Sequence, residues 1–515
     1  MNRRTWKLLT VAILALGLLM SSFTAAQAAG EEMIIRFGLS SEPTSLEPVL
    51  GMGFTQRTIK MAIYRGLMNY DEDGNLNYAL ADSYEVSDDN LIYTFHLRDA
   101  KFHDGTEVTA DDVKYTFERI LDPENAASYR AELAVIKSME VIDEKTISFT
   151  LSSPSASFTH YLALPESVIL SQAFTESNDI THTPMGAGPF KFVEWASGQY
   201  IRLEAFEDYY EEGYPLADGV EFLFYVDGEA RTNALMTGDI DIAENIEWKD
   251  MAMIESNPDL KLDTIKGPYM VINFNCNEDS PFSNPLVRQA VSYAINRDAI
   301  ISTAFSGRGE PIYGFVIQEG FLGYNPETEN YYSYDPEKAK ELLAEAGYPN
   351  GFSGKLLSTS SYAMHEQTAV VVQSELAKIG IDLELELPDW ATRQSRVAAG
   401  DYEIVINGTG GDILDPDWLT NYFYGGDVTL NKSAGYNNDE INALLDKGRA
   451  SLDPEERQEI YSQISMLIME DAPAVFLTWR INGYAMRANV QGFKNPVGFL
   501  TQSQGGISLV KTYLD

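Results

Sequence analysis

Residues 407–418 of this chain, Asn-Gly-Thr-Gly-Gly-Asp-Ile-Leu-Asp-Pro-Asp-Trp, gather the side chains best suited to handling a ligand. Asp412, Asp415 and Asp417 bring fixed negative charge, and Trp418 a large rigid ring. The stretch follows an apolar run, 402–406, that ends at small and glycine residues, the pattern of a buried strand emptying into a loop. Loops just outside the carboxyl ends of strands are where α/β proteins place ligand contacts. Asp412, after Gly410, is therefore expected at the mouth of a cleft, with Asp415, Asp417 and Trp418 close behind. An ordinary solvated turn has the same composition, since Gly-Gly and Asp-Pro are common turn formers, and the stretch alone leaves both readings open.

Other chemistries find less support. The chain contains no Gly-x-Ser-x-Gly elbow, no His-Glu-x-x-His helix and no Gly-x-x-x-x-Gly-Lys phosphate loop. Its five histidines, His96, His103, His160, His182 and His365, show no i, i+4 pairing. Asp71, Asp73 and Asn75 begin like a calcium loop, but the glycine falls at the fourth place and the twelfth residue is Asp82, so a hairpin turn is expected there. A catalytic pair among 77 acidic residues stays formally open. The expectation is a protein without catalytic residues, metal or cofactor.

The elements that must position the 407–418 loop come from a long chain. At 515 residues, 44% hydrophobic and 11% aromatic, it suits two or three packed domains. Residues 1–28 read as a signal peptide: Arg3, Arg4 and Lys7, then an apolar core at 8–20, then Ala26-Gln27-Ala28. That core is too short for a membrane span. No cysteine stands near the cleavage site, so a lipid anchor is not expected and the mature protein should diffuse freely in the periplasm. Cys276 is the only cysteine, so no intramolecular disulfide can form. Cleavage would leave 34 basic against 77 acidic residues, a net charge of −43. Nucleic acid and anionic membranes are poor partners for such a surface.

Along the mature chain, 33–39 reads as a first strand and 55–67 as a helix. The runs 84–86 and 91–97 flank Ser87-Asp88-Asp89-Asn90 as a hairpin, and Thr109 caps a helix with Asp111 and Asp112 in its first turn. Residues 71–190 thus form a compact α+β unit. Later, helices are expected at 285–295, 336–346, 367–379 and 454–469, and a strand at 381–387. Strand-like apolar runs at 269–274 and 475–479 separate helical segments on either side.

Several motifs recur in a fixed order: Ser41-Glu42-Pro43-Thr44-Ser45-Leu46, Tyr64-Arg65-Gly66-Leu67, Phe102-His103-Asp104-Gly105, Thr109-Ala110-Asp111-Asp112-Val113, Gly186-Ala187-Gly188-Pro189-Phe190, Gly238-Asp239-Ile240-Asp241, Val287-Arg288-Gln289-Ala290 and Tyr334-Asp335-Pro336-Glu337. In this order they resemble the family 5 extracellular solute-binding proteins, the dipeptide- and oligopeptide-binding components of bacterial ABC importers. The resemblance implies an α/β, bilobal periplasmic-binding-protein-like fold (type II) with an additional α+β subdomain. It implies a first lobe at 29–272 with the subdomain 71–190, a second lobe at 273–478, a return to the first lobe at 479–515, and a hinge at 269–274 and 475–479.

The resemblance also implies function. The partners would be a small-molecule or peptide ligand and the membrane permease of an importer, with the receptor itself a monomer. Asp412 resembles the aspartate that pairs a peptide's α-ammonium, a desolvated cation that needs a fixed counter-charge. Met52, Phe54, Trp390, Trp418 and Gly410 complete the expected ligand set, the rings giving contact area at little entropy cost. The dipeptide binders carry an arginine for the ligand carboxylate where this chain has His365, Glu366 and Gln367. Arg393 or Arg396 could substitute. Peptides lead, with oligosaccharides, opines and metal chelates as alternatives.

Overall fold

The computed structural model describes residues 32–50, 53–426, 431–502 and 504–515. Met52, with the signal segment 1–28, lies outside the described residues.

Two long strands, Leu260–Phe274 and Ala474–Arg487, pair antiparallel in the middle of an 11-stranded sheet. On one flank stand Ile242–Ala243, Ile34–Leu39, Gly219–Phe224, Tyr200–Ala205 and Phe190–Ala196. On the other stand Ile404–Thr409, Phe352–Leu357 and Ile381–Glu386. Parallel pairs occur on both flanks, Ile34–Leu39 with Gly219–Phe224 and Phe352–Leu357 with Ile381–Glu386. Such pairs require crossover connections that return over a face of the sheet, which is why helical periods alternate with strand periods along the sequence.

The apolar runs 269–274 and 475–479 are interior parts of the two central strands, buried on both sides. Their register slips between Lys266 and Tyr269 and again between Met270 and Val271. Gly267 and Pro268 occupy the first slip. Proline has no N–H to give to a ladder and is tolerated at such bulges.

Local signals set the helix starts. Helices Pro285–Ala294, Pro336–Glu345 and Pro454–Asp471 begin with proline behind Asn284, Asp335 and Asp453, whose side chains accept from first-turn amides. The helix expected at 55–67 is shorter, Phe54–Ile63. It stops where Gly186 and Gly188 press on the Ile63 carbonyl: a Cβ on either would come within 2.3 or 2.5 Å of that oxygen. Gly188 donates its N–H there at 2.8 Å, so the Gly-Ala-Gly-Pro motif is a backbone seat for the helix end.

A separate four-stranded antiparallel sheet, Ala81–Val86, Ile92–Leu97, Thr146–Leu151 and Ile136–Asp143, carries helix Ala110–Leu121. Thr109 and Asp112 close a reciprocal capping box at its start. The hydrophobic core of this unit continues through Tyr269, Trp418, Tyr422 and Trp479 to helix Pro454–Asp471. Apolar side chains therefore pack across the space bounded by the central strands, the small sheet and the 407–418 loop.

Candidate functional site

The loop begins later than its sequence suggests, because strand Ile404–Thr409 extends past residue 406. Gly410 follows, its carbonyl accepting from the Tyr422 hydroxyl at 2.5 Å, which also meets Thr409 Oγ1 at 2.7 Å. Asp412 is partly exposed and carries its charge near Arg57 of helix Phe54–Ile63 and Tyr129.

Arg57 is itself committed elsewhere. Its Nε and Nη2 donate to Glu166 at 2.8 and 3.3 Å, and Nη2 donates to the Tyr129 hydroxyl at 2.7 Å. Nearby Lys60 gives its ammonium to the carbonyls of Pro48 and Leu50 at 3.0 and 2.6 Å, and burial lowers it to about 8. Among the described residues no lysine or arginine is ion-paired with Asp412 directly. Burial therefore outweighs the attraction of Arg57 and the Tyr129 bond, and raises the Asp412 carboxyl above the ordinary range. An ionised carboxylate in that position lacks a partner.

Asp415 and Asp417, expected beside Asp412, are turned away and fully used. Asp415 accepts from both Nη atoms of Arg457 at 2.6 and 2.7 Å. Asp417 accepts from Arg449 Nε at 3.1 Å and from the Ser157 hydroxyl at 2.6 Å. His160 brings Nε2 to 3.7 Å from Asp415 and Nδ1 to 2.6 Å from the Tyr70 hydroxyl. Ser157, His160 and Tyr70 belong to the region of the small sheet, so the Asp-Pro-Asp turn is clamped to it. Trp418 is 3% exposed and stands edge-on to Tyr422 and Phe499 at 5.0 and 5.3 Å between centroids.

A cavity of about 550 Å³ opens further along the same interior, lined from both flanks of the sheet by Phe54, Asn245, Trp248, Tyr362, Met364 and Arg480 among others. Phe54 opens its helix instead of lying in a loop, and is 42% exposed on this wall. Trp390 opens helix Trp390–Ala398, edge-on to Tyr362 and His365 at 5.1 and 5.7 Å, with the Arg393 guanidinium 4.9 Å from its ring centre. Of the ligand residues expected from the sequence, Phe54 lines this cavity, whereas Gly410, Asp412, Trp418 and Trp390 are not part of its lining.

Cations collect around His365 and this cavity. Arg393 is buried, donating to Gln394, the Ile406 carbonyl and Asn407, while its Nε has no partner. Arg396 is occupied by Glu386 and Asp401 at 2.7 and 2.8 Å, which removes it as a ligand partner. Arg480, on central strand Ala474–Arg487 and outside the expected ligand set, lines the cavity. Its signal was present: one charged residue in the apolar run 474–481. His365 lies between these two guanidinium groups and is held at about 3 by burial and by Arg393 and Arg480. Its buried Nδ1 has no partner.

The cavity is open to solvent and lined by Arg480, Lys249, Glu247 and the rings of Phe54, Trp248 and Tyr362, while Asp412 stands outside its lining. The family model described as bacterial extracellular solute-binding proteins, family 5 Middle, matches residues 75–431. Glutathione-binding protein GsiB of Pectobacterium atrosepticum is 31% identical over 468 residues, spanning 87% of this chain and 88% of the relative. Among solved structures, AgaA of A. tumefaciens R10 in complex with agropinic acid is 49% identical with a TM-score of 0.82, over 94% of this chain and 99% of that one. DppA of Helicobacter pylori in complex with peptide STSA is 30% identical with a TM-score of 0.78, over 94% and 98%. The chain belongs to the family 5 bacterial extracellular solute-binding proteins, the solute receptors of ABC importers.

Proposed function

We propose that this receptor captures a small amphoteric amino-acid derivative, a short peptide or an opine, and presents it to a membrane permease. The observation that carries the reading is the Asp412 carboxylate, partly withdrawn from water near Arg57, which is itself paired with Glu166, and without an ion pair of its own among the described residues. A ligand ammonium supplies the missing cation. The likeness to proteins that bind agropinic acid, glutathione and peptides supports a ligand of this chemistry. Oligosaccharides and metal chelates, which need no such pairing, are disfavoured.

The protein acts as an exported monomer of the periplasm, released by cleavage of its signal peptide, and does no chemistry on its cargo. The lobes, 29–272 with the tail 479–515, and 273–478, close about the central strands. Such hinge motion shields the ligand from water. A thermal-shift panel of glutathione, tetrapeptides, agropinic acid, oligosaccharides and nickel chelates tests the ligand class, since a bound ligand raises the melting temperature by mass action. A shift confined to amine-bearing solutes, lost on N-acetylation, is expected. Saturable binding of a sugar or a chelate alone would overturn the reading. Small-angle scattering should show a smaller radius of gyration with the ligand, and product analysis should show it unchanged.

A further inference from the structure

The described residues hold one guanidinium that is taken out of water, faces an open cavity and meets no carboxylate. Arg480 is 9% exposed. Its Nε donates to the Pro268 carbonyl at 3.3 Å, and Nη1 approaches Met364 Sδ at 3.6 Å. The first contact follows from the bulge at Gly267 and Pro268: the register slip frees a carbonyl from the ladder, and the arginine on the neighbouring strand takes it. That bond steers the rest of the guanidinium toward the cavity of about 550 Å³. A thioether is a weak acceptor, so most of the fork's hydrogen-bonding capacity is unmet.

The acids on that cavity's wall do not serve it. Glu247 lines the same space but is paired with Lys249 at 3.0 Å, and Lys249 also holds Glu229 at 2.8 Å. Across the cavity stands the start of helix Ala363–Ala377, whose N-cap residue Tyr362 provides no side-chain cap. Tyr362, Ala363 and Met364 all line the space. A helix start presents backbone N–H groups and a positive dipole end to an anion. Burial lowers Arg480 to about 10, with no acid among the described residues to offset it. A buried charge without a partner is costly, and a carboxylate arriving from outside would relieve that cost.

We infer that Arg480, beside the first turn of helix Ala363–Ala377, forms a carboxylate subsite that selects solutes carrying a carboxyl group. Arginine and carboxylate match as a planar fork to two oxygens, a geometry lysine cannot copy. The subsite deepens the amphoteric-ligand reading but has its own failure mode.

The test uses calorimetric titration of the full mature chain, wild type and Arg480→Met, with each binder from a panel of glutathione, tetrapeptides, agropinic acid and amine-free sugar acids. Each acid is paired with its terminal carboxamide. The expected result is a loss of about tenfold to hundredfold when wild type meets the carboxamide, the range for a hydrogen bond to a charged group. Arg480→Met should lose as much for the acid, and little more for the carboxamide. Equal losses for acid and carboxamide on substitution would assign Arg480 a structural role and overturn the inference. So would tight binding of a solute that has no carboxylate. The two readings part on the amine: binding of an amine-free sugar acid that depends on Arg480 would sink the ammonium pairing at Asp412 and uphold this subsite. Wild type with the carboxamide gives the answer even where the variant does not fold.

Discussion

Replacing Asp412 by asparagine should improve the empty protein and damage the occupied one. The carboxylate is partly withdrawn from water near Arg57, yet Arg57 is bonded to Glu166 and Tyr129, so its attraction does not repay desolvation. The sign follows directly. A carboxyl raised above its unfolded value binds a proton more readily in the native state, so its ionised form costs stability above the unfolded pKa, and stability recovers as pH falls. At neutral pH Asp412→Asn removes that cost and keeps the shape. The melting temperature of the ligand-free variant should hold or rise. Ligand affinity should move the other way. Stranding a desolvated ammonium costs about 3 to 5 kcal/mol, and the standing field of Arg57 puts the loss at the low end, about 3 kcal/mol or two orders of magnitude. Calorimetry with glutathione and N-acetylglutathione on both proteins closes the cycle. Acetylation should cost the wild type about as much as the substitution does, and the variant little further. A variant that melts several degrees lower with affinity intact, or losses that simply add, would refute the reasoning.

Three further outcomes can be measured. Arg457→Met leaves the buried Asp415 without its bidentate partner, so denaturant unfolding should show a loss of about 3 to 5 kcal/mol; a change under about 1 kcal/mol would mean water replaces the guanidinium. His103 is locked neutral, accepting from the Gly186 N–H at 3.3 Å through Nδ1 and facing the Gly188 carbonyl at 3.0 Å with Nε2, and burial lowers it to about 4. As pH falls from about 6.5 toward 4, the unfolded chain takes a proton at His103 that the native one refuses, so this group alone removes about 1.4 kcal/mol of stability per unit, beside a loss of the same sign from His365; His103→Gln should take its share off that limb without abolishing it, and an unchanged slope in chemical unfolding from pH 7 to 4.5 would contradict it. Phe54→Ala should weaken glutathione or peptide binding about tenfold while changing stability by less than about 1 kcal/mol, because the ring is half-exposed on the cavity wall; the reverse pattern would place Phe54 in the core.

The limits of what the sequence reveals are plainest in the three aspartates of the 407–418 stretch. Local rules found the strand before it, the Asp415 and Pro416 turn, the later helices and the Thr109 helix start, since each depends on neighbours a few residues away. They also found the apolar central runs, whose continuity as strands is written in their composition. Nothing local separates Asp412 from Asp415 and Asp417. Their difference lies in partners brought from afar: Arg449 and Arg457 reach the latter two, whereas Asp412 is turned toward an Arg57 already bonded to Glu166. Arg480 shows the converse. Its place in an apolar strand was visible, but its lack of a counter-charge depends on the bulge opposite and on the acids that other cations have taken.

The division of labour among the aspartates has a physical logic. A carboxylate held without a partner in the interior will swing toward any water or cation it can reach unless its backbone is fixed. Asp415 and Asp417, bonded to Arg457, Arg449 and Ser157, fix the turn immediately after Asp412 on both the helix side and the small-sheet side. On the other side of Asp412, Tyr422 holds the Gly410 carbonyl. Supporting bonds of this kind allow a binding group to be kept in a costly state. Loosening the clamp should therefore reach the ligand indirectly: Ser157→Ala, which removes one hydroxyl bond to Asp417 and leaves both arginines in place, should lower amine-ligand affinity without abolishing the dependence on N-acetylation. Loss of that dependence would mean that Asp412 no longer meets the ammonium at all, and that the clamp, rather than the carboxylate, carries recognition.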